Sequence, residues 1–105
     1  VLMSEWIDVC GEAELKPGER RIVPTDVIEI AVFNLDGELY AIEDVCTHDG
    51  GELASGRCEG DQIICPRHGA RFCIRDGKAL TPPAYEDVET FPVRIEQGQI
   101  QVDIS

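Results

Sequence analysis

Cys46-Thr47-His48-Asp49-Gly50-Gly51 and Cys65-Pro66-Arg67-His68-Gly69-Ala70-Arg71-Phe72 are the two stretches whose reading decides the fold. Sixteen residues separate His48 from Cys65. Each stretch supplies one cysteine and one histidine, and each histidine is followed within two residues by glycine. These are the only 2 histidines in the chain. A transition metal needs thiolates or neutral imidazoles that converge from separate backbone segments. Two short loops carrying a Cys–His pair each meet that need. A zinc finger usually presents two cysteines and then two histidines, so that each element clamps the ion with a like pair. Here the order is Cys, His, Cys, His, which is the C-x-H then C-x-x-H arrangement of a centre in which two imidazoles replace two thiolates on one iron.

On these residues the chain resembles the Rieske-type ferredoxins of bacterial ring-hydroxylating oxygenase systems. The run from Cys65 to Phe72 is especially similar to their second cluster loop, and the resemblance covers most of the chain. It implies one [2Fe–2S] cluster, with Cys46 and Cys65 on the buried iron and His48 and His68 on the outer one. It also implies an all-β Rieske fold, an antiparallel sandwich or barrel-like scaffold with a small inserted cluster-binding β subdomain. The expected division is a single domain over 1–105, with scaffold at about 1–43 and 86–105 and the cluster-binding part at about 44–85. Two cysteinates and two neutral imidazoles leave the oxidised centre formally neutral, whereas four cysteinates make it anionic. Adding an electron to a neutral buried centre is easier, so histidine ligation raises the potential. High-potential members place a serine and a tyrosine just after the second histidine, where this chain has Ala70 and Phe72. They also join an extra cysteine in each loop as a disulfide, where this chain has Gly51 and Arg67. Both departures point to the low end of the Rieske range, about −150 mV. Gly50, Gly51 and Gly69 would let backbone amides approach the sulfides closely.

The chain has 105 residues, 21 acids, 9 bases and a formal charge of −12. Nucleic acid is an unsuitable partner for such a surface, because phosphates need bases. An acidic body can instead steer a small carrier onto basic partners. The bases in the second half include Arg57, Arg67, Arg71, Arg75 and Lys78, which gather around the second loop; Arg67 and Arg71 are candidates for partner contact or for solvating the loop. No apolar run approaches the roughly 20 residues that span a membrane, and no signal peptide is expected. Of 5 cysteines, Cys10 and Cys73 read as small buried residues and Cys58 as more exposed. An odd remainder after the two ligands is a poor disulfide framework and suits the reducing cytoplasm.

The rest of the pattern reads as strand. Trp6–Cys10 and Arg21–Val23 are short strands, the second stopped by Pro24. Val27–Leu35 and Leu39–Ile42 flank Asp36-Gly37, a two-residue hairpin signal. Residues 44–60 lack periodicity, which in a compact domain marks a working loop. Gln62–Ile64 and Arg71–Ile74 are strands around the second loop, and Asp76-Gly77 repeats the hairpin signal before Lys78–Leu80. Pro82-Pro83 breaks any sheet; by the resemblance this segment covers the cluster as a third loop. Phe91–Glu96 and Gln99–Ile104 alternate around Gln97-Gly98, with Val93, Ile95, Ile100, Val102 and Ile104 on one face.

The function implied is that of a soluble cytoplasmic carrier, non-catalytic by itself and expected to act as a monomer. It would take single electrons from an NAD(P)H-dependent flavoprotein reductase and pass them to a terminal Rieske non-haem-iron oxygenase of aromatic catabolism. A small Rieske-like subunit of an assimilatory nitrite reductase shares the fold, but several of those lack the four ligands. A zinc-stabilised interaction module using the same four residues is the reading from a different class.

Overall fold

A computed structural model describes residues 5–47 and 50–105. Its strands are β1 (Trp6–Gly11), β2 (Arg20–Pro24), β3 (Glu29–Leu35), β4 (Glu38–Glu43), β5 (Cys58–Glu59), β6 (Gln62–Ile64), β7 (Arg71–Cys73), β8 (Thr90–Phe91), β9 (Val93–Glu96) and β10 (Gln99–Asp103). The only helical element among the described residues is a 3₁₀ turn at Glu12–Glu14, and no helix there is long and apolar enough to cross a membrane. The strands form three antiparallel sheets, ordered β1-β10-β9, β2-β3-β4-β8 and β5-β6-β7.

The four-stranded sheet is the middle layer, and β3 shows why. Ile30, Ala31, Val32 and Phe33 are all buried, although successive side chains of a strand point to opposite faces. Ile30 and Val32 join one core with Cys10, Leu15, Val23, Ala41, Ile100 and Val102. Ala31 and Phe33 join a second core with Ile42, Leu53, Ile63, Phe72, Ile74, Cys46 and Cys65. A strand covered on both faces reads as a continuous apolar run rather than an alternation. The first core is closed by β1 and β10, the second by the small sheet and its loops. The candidate site is therefore built on the back of the scaffold's own central strand.

Turn chemistry fixes the registers. Asp36-Gly37 joins β3 to β4 with φ of 53° and 97°, and Gln97-Gly98 joins β9 to β10 with 51° and 78°. Positive φ at both central residues is the tight-hairpin turn whose twist matches the flanking strands. The Asp76-Gly77 signal works differently. Its hairpin closes between Cys73 and Lys78, where the Cys73 amide donates to the Lys78 carbonyl at 2.9 Å. Ile74 leaves the strand to bury itself in the second core, and only one bridge, Phe72 to Ala79, continues the pairing.

Two burial expectations change. Cys73 is half-buried rather than buried, because it ends β7 at the rim of the small sheet. Ile95 is 45% exposed, since β9 is an outer strand and its far end has a neighbour on one side only. Cys10 is buried, and Cys58 is half-buried against the second core.

Candidate metal centre

Two loops of the same construction lie on the second core. In the first, the Cys46 amide donates to the Gly51 carbonyl at 2.6 Å and the Gly50 amide to the Cys46 carbonyl at 2.7 Å. In the second, the Cys65 amide donates to the Ala70 carbonyl at 2.7 Å and the Gly69 amide to the Cys65 carbonyl at 3.1 Å. Each loop is thus a six-residue ring closed by its first residue. Each turns on a glycine at its fifth position, with φ of 77° at Gly50 and 76° at Gly69. That left-handed conformation is costly for any residue with a Cβ, which explains why glycine stands at the same place in both.

Burial separates the candidate donors. Cys46 is 0% and Cys65 1% exposed, and both belong to the one apolar core that includes Ala70 and Phe72. Pro66, Arg67, His68 and Gly69 are exposed. His48 lies outside the described residues. Two thiols inside and an imidazole outside are what a dinuclear centre needs if one metal is to sit deep and the other near solvent.

Three further segments brace the loops. Asp44 Oδ1 accepts from the amides of both Leu53 and Ala54 at 2.7 Å, tying the exit of the first loop to its entry. Arg20, on β2, reaches across to donate to the carbonyls of Ala54 and Gly56, each at 2.6 Å, with its guanidinium 5.6 Å from the Phe33 ring centre. The Thr47 hydroxyl donates to the Glu86 carbonyl at 2.6 Å, so the segment following Pro82-Pro83 is fastened to the first loop; Ala84 is buried there and Tyr85 is 82% exposed. Sequence reasoning missed Asp44, Arg20 and Thr47. Nothing local to Arg20 in the chain marks it, since its acceptors lie 34 and 36 residues away. Arg20→Ala is expected to cost about 2–4 kcal/mol, because two charge-assisted bonds are lost and two carbonyls lose a donor. The thermal midpoint of the visible absorbance measures this, and Arg20→Lys should recover only part of the loss.

The basic residues near the second loop are largely neutralised in place. Arg71 donates to Glu59 at 2.8 Å and to Gln62 at 3.2 Å, and Arg57 pairs with Glu59 at 3.2 Å. The Arg71 hydrogen bond holds the Glu59 carboxyl below its usual range. Arg75 bonds Glu38, Asp61 and the Tyr40 hydroxyl. Arg71 thus serves the small sheet, which accounts for it without a partner. Burial pushes the Cys58 thiol up, against the pull of Arg20, and makes it a poor nucleophile.

The Rieske [2Fe-2S] domain pattern matches residues 5–92. The chain belongs to the Rieske [2Fe–2S] family. The biphenyl dioxygenase ferredoxin subunit of Pseudomonas sp. (strain KKS102) is 40% identical over 97 residues, covering 91% of this chain and 89% of the relative. The Sphingomonas yanoikuyae B1 ferredoxin superposes with a TM-score of 0.87 at 34% identity, covering 96% of this chain and 100% of that one. A chain from a complex of reduced oxygenase and oxidised ferredoxin in carbazole 1,9a-dioxygenase gives 0.89 at 32% identity, covering 93% and 92%. This Rieske protein is of the ferredoxin type, an electron carrier that holds one [2Fe–2S] cluster. The residues present fit that group: two buried thiols on two loops of one core, and an exposed imidazole three residues beyond the second thiol. No cysteine is joined in a disulfide, so neither cluster loop carries a disulfide brace.

Proposed function

We propose that this Rieske ferredoxin takes single electrons from an NAD(P)H-dependent flavoprotein reductase and delivers them to a terminal Rieske non-haem-iron oxygenase that attacks an aromatic ring. Cys46, His48, Cys65 and His68 are the proposed ligands, with the thiolates on the inner iron and the imidazoles on the outer. When bound, the cluster stores and releases one electron. The two glycine-turned loops hold the thiols in an apolar core, while the His68 ring stays at the surface where a partner can approach. Asp44, Arg20 and Thr47 fix those loops against the scaffold, so little reorganisation accompanies the change of charge. The carrier is proposed to act as a cytoplasmic monomer, which the lack of disulfides suits. Its domain is proposed to divide into scaffold (about 1–43 and 86–105) and cluster-binding part (about 44–85).

The observation that carries the reading is the combination of buried thiols, exposed imidazole and relatives that are ferredoxin components of ring dioxygenases. Ala70 and Phe72 are both fully buried beside the cysteines and carry no hydroxyl to stabilise the reduced state, which supports a low potential. The test is reconstitution with the reductase and oxygenase of the biphenyl system. NADH-driven oxygen uptake with an aromatic substrate should require this protein. Reduction by dithionite but by no flavoprotein reductase, or reoxidation only by a sirohaem nitrite reductase, would overturn the assignment.

A further inference from the structure

Asp44 has a second oxygen that the cluster loops do not use. The residue is 7% exposed. Its Oδ1 is engaged by two amides, at Leu53 and Ala54. Its Oδ2 is buried with no hydrogen-bond partner, and no other buried side-chain nitrogen or oxygen among the described residues is in that state. An orphaned buried carboxylate oxygen is costly, so native structures pair it with a donor or a cation.

Two more carboxylates stand beside Asp44. Glu29 opens β3, and its carbonyl accepts the Asp44 amide at 2.8 Å. Glu52 precedes Leu53, whose amide binds Asp44. One ligand atom from each of Glu29, Asp44 and Glu52 lies within 4.8 Å of the others. Among the described residues none of the three is in an ion pair. Oδ1 of Asp44 is already occupied by two donors, so Oδ2 is the oxygen it has to offer. Two exposed carboxylates and one buried carboxylate with an orphaned oxygen therefore converge.

We propose that Glu29, Asp44 and Glu52 bind one hard divalent cation. All three donors are oxygens, which favours calcium or magnesium over iron or zinc. Asp44 Oδ2 is the inner ligand, Glu29 and Glu52 cap the ion from the surface, and water completes its shell. The ion would clamp the start of β3 to both ends of the first cluster loop, two residues from Cys46. A fixed positive charge there favours the reduced cluster.

Calcium is titrated calorimetrically into holoprotein treated with EGTA and desalted, in about 0.1 M salt to screen diffuse counterion binding. One saturable site per chain is expected. Asp44→Asn is unsuitable alone, because Asp44 also holds the loop. Glu29→Gln and Glu52→Gln should each weaken calcium on the order of tenfold, while Glu96→Gln, on β9 and outside the carboxylate group, leaves it unchanged. All three variants keep the visible spectrum. Calcium should also shift the cluster's midpoint to more positive potential in the wild type and not in the Glu29→Gln/Glu52→Gln double variant. Absence of saturable binding, or equal weakening by Glu96→Gln, would overturn the site.

Discussion

Cys46→Ser and Cys65→Ser each yield a protein without iron, without visible absorbance and with most of its cooperative fold lost. Both thiols are fully buried in the core that also contains Phe33, Ile42, Ile63 and Phe72. A serine hydroxyl is a poor ligand for this iron, so the cluster's binding energy is lost. In small metal-holding domains that energy is largely folding energy, and removing a ligand costs several kcal/mol. The serine also leaves an unpaired hydroxyl in an apolar wall. Both small loops then lose what holds them together, and the third segment, fastened through Thr47, goes with them. Iron content and circular dichroism of the purified variants measure the two effects. Cys73→Ser, at a half-buried rim position, should retain the spectrum. If Cys73→Ser bleaches the protein and Cys46→Ser does not, the ligand assignment is wrong.

Gly56→Ala is expected to be the most damaging substitution outside the ligands. A Cβ at this position would lie 1.9 Å from the Ile64 carbonyl oxygen and 3.0 Å from both the Ile64 carbonyl carbon and the Leu53 oxygen. All three atoms are backbone, so no side chain can swing aside. Ile64 is also the residue that delivers Cys65, and its amide bonds the Arg57 carbonyl at 2.9 Å. Relief of the clash must displace either the end of β6 or the loop that Arg20 holds through the Gly56 carbonyl. Overpacking against a fixed neighbour costs about 3 kcal/mol or more. In a domain of this size that lowers the thermal midpoint by about 12–24 °C, and iron content should fall with it. Gly98→Ala is the contrast. Its φ of 78° is strained for alanine, but nothing lies within 4 Å of its Cβ. It should cost only about 1–2 kcal/mol.

Much of this architecture is legible in the chain because it is local. Asp36-Gly37 and Gln97-Gly98 are turns that dictate their own strands. The apolar run from Val27 to Leu35 marks a strand, though the burial of both its faces shows only in the packing. The Cys–His spacing names the metal chemistry directly. What stayed hidden depends on distant partners. Periodicity makes Trp6–Gly11 a strand, but only tertiary packing pairs it with Gln99–Asp103 rather than with β2. Arg20 reads as an ordinary surface base until the carbonyls of Ala54 and Gly56 are seen above it. Asp44 reads as one acid among many until its two amide donors and its orphaned oxygen are seen. Asp76-Gly77 misleads in a small way, because burying Ile74 outweighs the tight turn its dipeptide prefers.

Cys46, His48, Cys65 and His68 are proposed to hold a low-potential [2Fe–2S] centre. An EPR-monitored redox titration of the purified protein tests it most directly. A Rieske-type signal with a midpoint near about −150 mV is the predicted result. A midpoint above about +100 mV, or a silent protein carrying zinc in place of iron, would contradict it.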